Sequence, residues 1–210
     1  MGDVETVNES WIIYGMIQEY IKNIKFTLRS KILDEKMYKN IAMNTNHIEL
    51  DCSPTTGALR SKDLIIIIIT TTGEHSPIRK TPIMEKILDI ITIQEKDGLV
   101  VIPDELSKHV SSKIGDIIKK SKTHIDILHF MNFSCNIPQH VFTCEHIILS
   151  SEEAQQVLTD LKIESFANLP GIKSSDTQII WVGGRAGEIV KIKRPSETAI
   201  SSIVYRRIIE

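Results

Sequence analysis

Gly187-Glu188-Ile189-Val190-Lys191-Ile192-Lys193-Arg194-Pro195-Ser196-Glu197-Thr198-Ala199 decides how the C-terminal third of this chain folds. Ile189, Val190 and Ile192 interleave with lysines, the pattern of a short half-buried strand. Pro195 fixes φ and removes a backbone donor, and the hydroxyls of Ser196 and Thr198 can bond to nearby backbone, so the strand runs into an ordered loop with a charged tip. Nothing in the set makes a nucleophile. It reads as a docking element.

Working outward, Asn136-Ile137-Pro138-Gln139-His140-Val141-Phe142-Thr143-Cys144-Glu145-His146-Ile147-Ile148-Leu149-Ser150 predicts an extended opening segment with two histidines. Ser151-Glu152-Glu153-Ala154 then starts an apolar period through Val157, Leu158 and Leu161, with Ser151 as the N-cap or the residue after one. Leu169-Pro170 and Asp176 follow, and Ile203-Val204-Tyr205-Arg206-Arg207-Ile208 closes the segment. From about 136 to 210, these runs together resemble the fifth subunit shared by eukaryotic nuclear RNA polymerases and its archaeal counterpart. Two positions depart from that family's pattern. Ile200-Ser201 stands where the family continues with Gly-Arg, and Thr177 where a proline is usual. Trp181-Val182-Gly183-Gly184-Arg185 is similar to versions carried by nucleocytoplasmic large DNA viruses.

The resemblance implies an α/β (α+β) protein of two abutting domains. Residues 1–135 would be a restriction-endonuclease-like jaw beside downstream DNA, and 136–210 a compact assembly domain with a small mixed sheet. The chain would be a non-catalytic subunit of a DNA-directed RNA polymerase, anchored to the largest subunit, whose Mg²⁺ serves nucleotidyl transfer; the alternatives are a nuclease built on the jaw fold and a free-standing transcription regulator that binds polymerase transiently. Lys191, Arg194, Pro195, Ser196, Glu197, Thr198 and Arg206 would meet that subunit, with Arg194 and Glu197 making charge-assisted pairs. No catalytic residue, metal, cofactor, membrane contact or homo-oligomer is implied. The location would be the polymerase complex: virion and host cytoplasm for a viral protein, nucleus for a cellular one.

Bulk properties agree with a folded subunit. The chain has 210 residues, 41% hydrophobic and 25% charged, with a formal net charge of −2. That is ordinary for one large or two small globular domains, and the charge supplies no global basic field to attract nucleic acid. The three cysteines, Cys52, Cys135 and Cys144, form no Cys-x-x-Cys pair and fit a reducing compartment. Asp3, Glu5 and Glu9 precede Trp11 where a secretory signal would need a basic region and an apolar core. The apolar run Leu64 to Ile69 is far shorter than the ~20 residues of a membrane helix. A soluble intracellular protein is expected.

In the N-terminal part, Trp11, Ile12, Tyr14, Ile17, Tyr20, Ile21, Ile24 and Leu28 recur at three- and four-residue spacing. They predict a helix over 11–29 with Lys22, Lys25 and Arg29 outward, facing either DNA phosphates in the assembled jaw or plain solvent. A second helix is expected over Lys31 to Met43, and a loop from His47 to Ser61. Leu64-Ile65-Ile66-Ile67-Ile68-Ile69 marks a strand buried on both faces. Pro82 to Leu88 reads as helix, Ile90 to Ile93 as its continuation or a short strand, and Leu99 to Ile102 as a strand. Asp104 to Lys120 reads as a weakly amphipathic helix and His124 to Phe133 as an alternating strand.

Three other chemistries can be drawn on the chain. A metal-dependent nuclease needs carboxylates near a strand end and a nearby lysine, and Asp63 with Glu95-Lys96 offers a degraded version whose plainer reading is a solvated loop. Cys135, His140, Cys144 and His146 are zinc-ligand types, but they lack the two tight pairs of a structural site. Positions 140, 144 and 146 would share one face of an extended segment, which favours core packing. Gly183-Gly184-Arg185-Ala186-Gly187 lacks the Gly-Lys-Ser/Thr ending of a phosphate loop and reads as a turn between strands. The basic cluster of Lys191, Lys193, Arg194, Arg206 and Arg207 is either a solvated face or a partner contact.

Overall fold

The computed structural model describes residues 2–71, 88–106, 112, 114–118, 123–196 and 201–210. Glu197, Thr198 and most of the helix expected over 82–88 lie outside the described residues. The chain divides into two compact units, Met1–Cys135 and Asn136–Glu210.

The first unit opens with helix α1 (Gly2–Asn23), whose Tyr14, Ile17, Tyr20 and Ile21 are buried. The expected 11–29 helix differs at both ends. It stops at Asn23 because Lys25 takes the left-handed conformation (φ 60°) and Phe26–Leu28 becomes strand β1. Ile24 and Leu28 prolong the helical spacing, but β1 satisfies its backbone by pairing antiparallel with the next strand, and tertiary pairing overrides local periodicity. Helix α2 (Glu35–Thr45) begins where the Asp34 side chain accepts from the Met37 N–H at 2.8 Å, and ends at left-handed Asn46.

Strand β2 (His47–Pro54) replaces most of the expected 47–61 loop. Ile48, Leu50 and Cys52 are buried while His47, Glu49 and Asp51 are not, a period of two that the sequence itself carries and that the turn residues Pro54 and Gly57 outweigh in a loop reading. Strands β3 (Leu64–Ile69) and β4 (Asp97–Ile102) are buried at all six positions each, and β5 is Ile125–His129. The sheet order is β1-β2-β3-β4-β5, antiparallel across β1, β2 and β3 and parallel across β3, β4 and β5. Ile65, Ile67 and Ile69 join Val100, Ile102 and Ile125 under Leu88, Ile91 and Ile114, which come from helical segments at 88–93 and 114–118. Ile66 and Ile68, equally buried, point to the other face, and α1 and α2 pack against β1, β2 and β3. Parallel strands need crossovers that cover the sheet, so an unbroken isoleucine run is the expected sequence for β3.

Residues 90–93 are thus helical. The expected strand over 124–133 ends at His129, where Phe130–Phe133 turns into a 3-10 helix, and of the expected 104–120 helix the described turns are at 112 and 114–118. The His129 ring accepts from the Met131 N–H and the Asn132 side chain accepts from the His129 N–H, a local cap that stops the strand. Phe133 then packs edge-on against Tyr20 at 5.4 Å.

The second unit contains β6 (Glu145–Ile148), α3 (Ser151–Leu161), β7 (Gly171–Lys173), α4 (Thr177–Trp181), β8 (Ile189–Pro195) and β9 (Ser201–Ile209). The order β6-β8-β9-β7 is antiparallel except for the parallel β7/β9 pair. Only the end of the expected opening segment is strand. Pro138 sits in a 3-10 turn at Ile137–Gln139, and a further turn closes through the Thr143 N–H to the His140 carbonyl at 2.9 Å. Ser150 caps α3, in a reciprocal box with Glu153, and Ser151 is the residue after the cap. The Gly183–Gly187 segment turns between α4 and β8 rather than between two strands. A side chain at Gly184 would meet Ile208 Cδ1 at 2.7 Å and Ile179 Cγ2 at 2.8 Å, so glycine lets the turn close on the core. Among the described residues, no helix is long and apolar enough to cross a membrane.

Candidate subunit interface on the β8–β9 hairpin

Strands β8 and β9 pair antiparallel from Ile189↔Arg207 to Pro195↔Ser201, and β8 also pairs with β6 from Glu145↔Lys193 to Ile148↔Val190. Pro195 is therefore the last residue of a strand, paired with Ser201. Because side chains alternate across a sheet, the basic cluster is split. Lys191, Lys193 and Pro195 share one face with Ile147, Ile203, Tyr205 and Arg207. Arg194 and Arg206 share the other with Val190, Ile192 and Ile208, which pack under Ile179 of α4. Arg206 is partly spent on structure, donating to the Gly171 carbonyl at 3.0 Å. Lys193, Arg194 and Pro195 are exposed, Lys191 and Ser196 half-buried. A single basic surface made of all these residues is not what the sheet builds.

The three cations expected on one helix face are also separated. Lys22, in the last turn of α1, pairs with Glu19 at 2.6 Å. Lys25 forms the turn, its carbonyl accepting from the Thr55 N–H and hydroxyl. Arg29, beyond β1, grips both oxygens of Asp63 at 2.8 and 3.1 Å. Lys96 pairs with Asp51 at 2.7 Å. Asp63 and Lys96, two pieces of the nuclease-like pattern, are thus each engaged by an opposite charge, and the Asp63 carboxylate has both oxygens on Arg29.

The histidines and cysteines do not converge either. His140 lies in the turn against the Phe142 ring at 5.8 Å, and the His146 Nδ1 faces the Cys144 carbonyl at 2.7 Å, so the common face expected for 140, 144 and 146 is lost where the chain turns. Among the described residues, no group of three His, Cys, Asp or Glu can hold a metal ion.

Sequence reasoning missed the exposed aliphatic residues around the hairpin. Ile147 and Ile203 are 44% and 50% exposed on the lysine-bearing face, and Val141 and Phe142, in the turn leading to β6, are 90% and 89% exposed. The available signal was parity: Ile147 and Ile203 are out of phase with the buried set.

Residues 135–208 match the family model described as RNA polymerase Rpb5, C-terminal domain. The DNA-directed RNA polymerase subunit Rpo5 of Methanothrix thermoacetophila is 43% identical over 74 residues, which are 35% of this chain and 94% of that protein. The chain belongs to the RNA polymerase Rpb5 family. Its likeness to other Rpb5 proteins extends into the first unit. The DNA-directed RNA polymerase RPB5 homolog of African swine fever virus (isolate Tick/South Africa/Pretoriuskop Pr4/1996) is 29% identical over 204 residues, 92% of this chain and 94% of that one. The subunit RPABC1 of RNA polymerases I, II and III of Caenorhabditis elegans is 31% identical over 114 residues, 53% of this chain and 52% of its own.

Proposed function

We propose that this chain is a non-catalytic structural subunit of a multisubunit DNA-directed RNA polymerase, with the second unit anchored on the largest subunit and the first forming part of the jaw around downstream duplex. The observation that carries this reading is the likeness to an RPB5 homolog along nearly the whole of both chains, 92% of this one. The β8–β9 hairpin is the proposed anchor: Arg194 and Pro195 are exposed where β8 ends beside Ser196, and Lys191 stands farther back along the strand on the face opposite Arg194. The full-length likeness to African swine fever virus proteins favours the polymerase of a large DNA virus, acting in virion and host cytoplasm.

Affinity purification of the tagged chain from its native source, with a high-salt wash and quantitative mass spectrometry, tests this reading. Stoichiometric recovery of the two large polymerase subunits supports it, and recovery of the chain alone overturns it. Metal-dependent DNA cleavage by the purified chain would put a nuclease in its place.

A further inference from the structure

The two faces of the β8–β9 hairpin differ in what covers them. One carries Val190, Ile192 and Ile208 into the core beneath α4. On the other, Ile189 and Tyr205 pack with Ala154 and Leu169, but beyond Tyr205 the strip is open. Its in-register rows are Ile147–Lys191–Tyr205 and Glu145–Lys193–Ile203, and β6 is the outer strand of the sheet. Glu145 stands directly opposite Lys193, and both are exposed. Lys191 is half-buried, and the described residues give its ammonium no ion-pair partner. Lys191 is thus a half-buried cation with no ion pair among the described residues, beside exposed Ile147 and diagonal to exposed Ile203, so that its stem lies along an apolar rim.

We propose that this strip docks an extended acidic and aliphatic segment of the polymerase subunit on which the chain assembles. A carboxylate of that segment pairs with Lys191, and its aliphatic neighbours cover Ile147 and Ile203. The pairing is favoured because a charge-assisted hydrogen bond gains strength as flanking apolar contacts exclude water. This inference rests on the polymerase-subunit reading and specifies which face of the hairpin meets the partner.

Zero-length carbodiimide crosslinking of the purified intact polymerase tests it, because that reagent joins an ammonium to a carboxylate only when they touch. The expected product links Lys191 to an Asp or Glu of a large subunit. Lys191→Glu and Lys191→Met, the latter keeping an unbranched apolar stem, and Ile147→Asp are expected to lower recovery of the large subunits roughly tenfold or more. Ser202→Glu, which adds the same charge on the opposite face, should leave recovery unchanged, and thermal melts of each free chain identify variants that fail to fold. An intact complex in which Lys191 links only to Glu145 or to nothing, or in which Ser202→Glu is as damaging as Lys191→Glu, overturns the inference while the subunit reading stands. Failure of the wild-type chain to recover the large subunits overturns both.

Discussion

Cys52 lies fully buried in β2, where its thiol pKa is pushed up to about 12, first by burial and then by the neighbouring Asp51 carboxylate. An unfolded thiol ionises near about 8.5, so between those values the unfolded chain gives up a proton that the folded chain retains. The contribution to stability is therefore complete below about pH 8.5 and is lost as pH rises toward 12, by about 1.4 kcal/mol per pH unit. Urea unfolding from pH 8 to 10 should show a decline that is shallower in Cys52→Val; equal slopes would rule this out. Gly184 offers a second residue-scale test. A methyl there meets Ile208 and Ile179, so Gly184→Ala should cost about 1–3 kcal/mol in chemical denaturation, whereas a loss below a few tenths would mean that the core yields easily. Some of this scale was legible in the sequence and some was not. The start of α3 could be read to within one residue of its cap, because capping depends on residues adjacent in sequence. The Arg29–Asp63 and Lys96–Asp51 pairs could not, because each joins positions brought together only by sheet pairing.

At the scale of elements, the capping box of α3 makes a separable prediction. The Ser150 hydroxyl accepts from the Glu153 N–H at 3.2 Å, and Glu153 accepts in return from the Ser150 N–H at 2.8 Å. Ser150→Ala should lower stability by about 1 kcal/mol and Ser150→Asp should largely preserve it. Equal losses in the two variants would show that the hydroxyl itself is not the determinant. Ile67 sits at the centre of β3 with no exposed surface, so Ile67→Ala should cost about 2–5 kcal/mol through lost transfer energy and a cavity. Strand β3 was legible because six consecutive apolar residues fit only a doubly covered strand in so short a run. Strand β2 also carries a local signal, since polar His47, Glu49 and Asp51 alternate with Ile48, Leu50 and Cys52, but the turn residues Pro54 and Gly57 just beyond it favour a loop over the same stretch. The ends of α1 and β5 were misread for a related reason. Periodicity continues past each end, while a left-handed Lys25 and a His129–Asn132 cap stop the element.

For the whole molecule, 74 residues of this chain cover 94% of the archaeal relative, about the length of the second unit, Asn136–Glu210. Residues 136–210 expressed alone should therefore unfold in one cooperative urea transition; a featureless titration would show that the unit depends on the rest of the chain. Fold class and family were legible here because the second unit's turns and strand tips carry distinctive local residues, whereas the first unit is specified by distributed burial that many sequences satisfy. The position of β9 between β8 and β7 has a consequence for the order of assembly. β7 has no other strand partner, so it must wait for a segment made almost forty residues later, from Gly171 to Arg207. During translation the β6 and β8 pair is free to form first, but the sheet closes only when β9 clears the ribosome. A chain stalled within this hairpin would carry a completed first unit and a second unit with unsealed strand edges, a species that quality control can recognise before it reaches the polymerase.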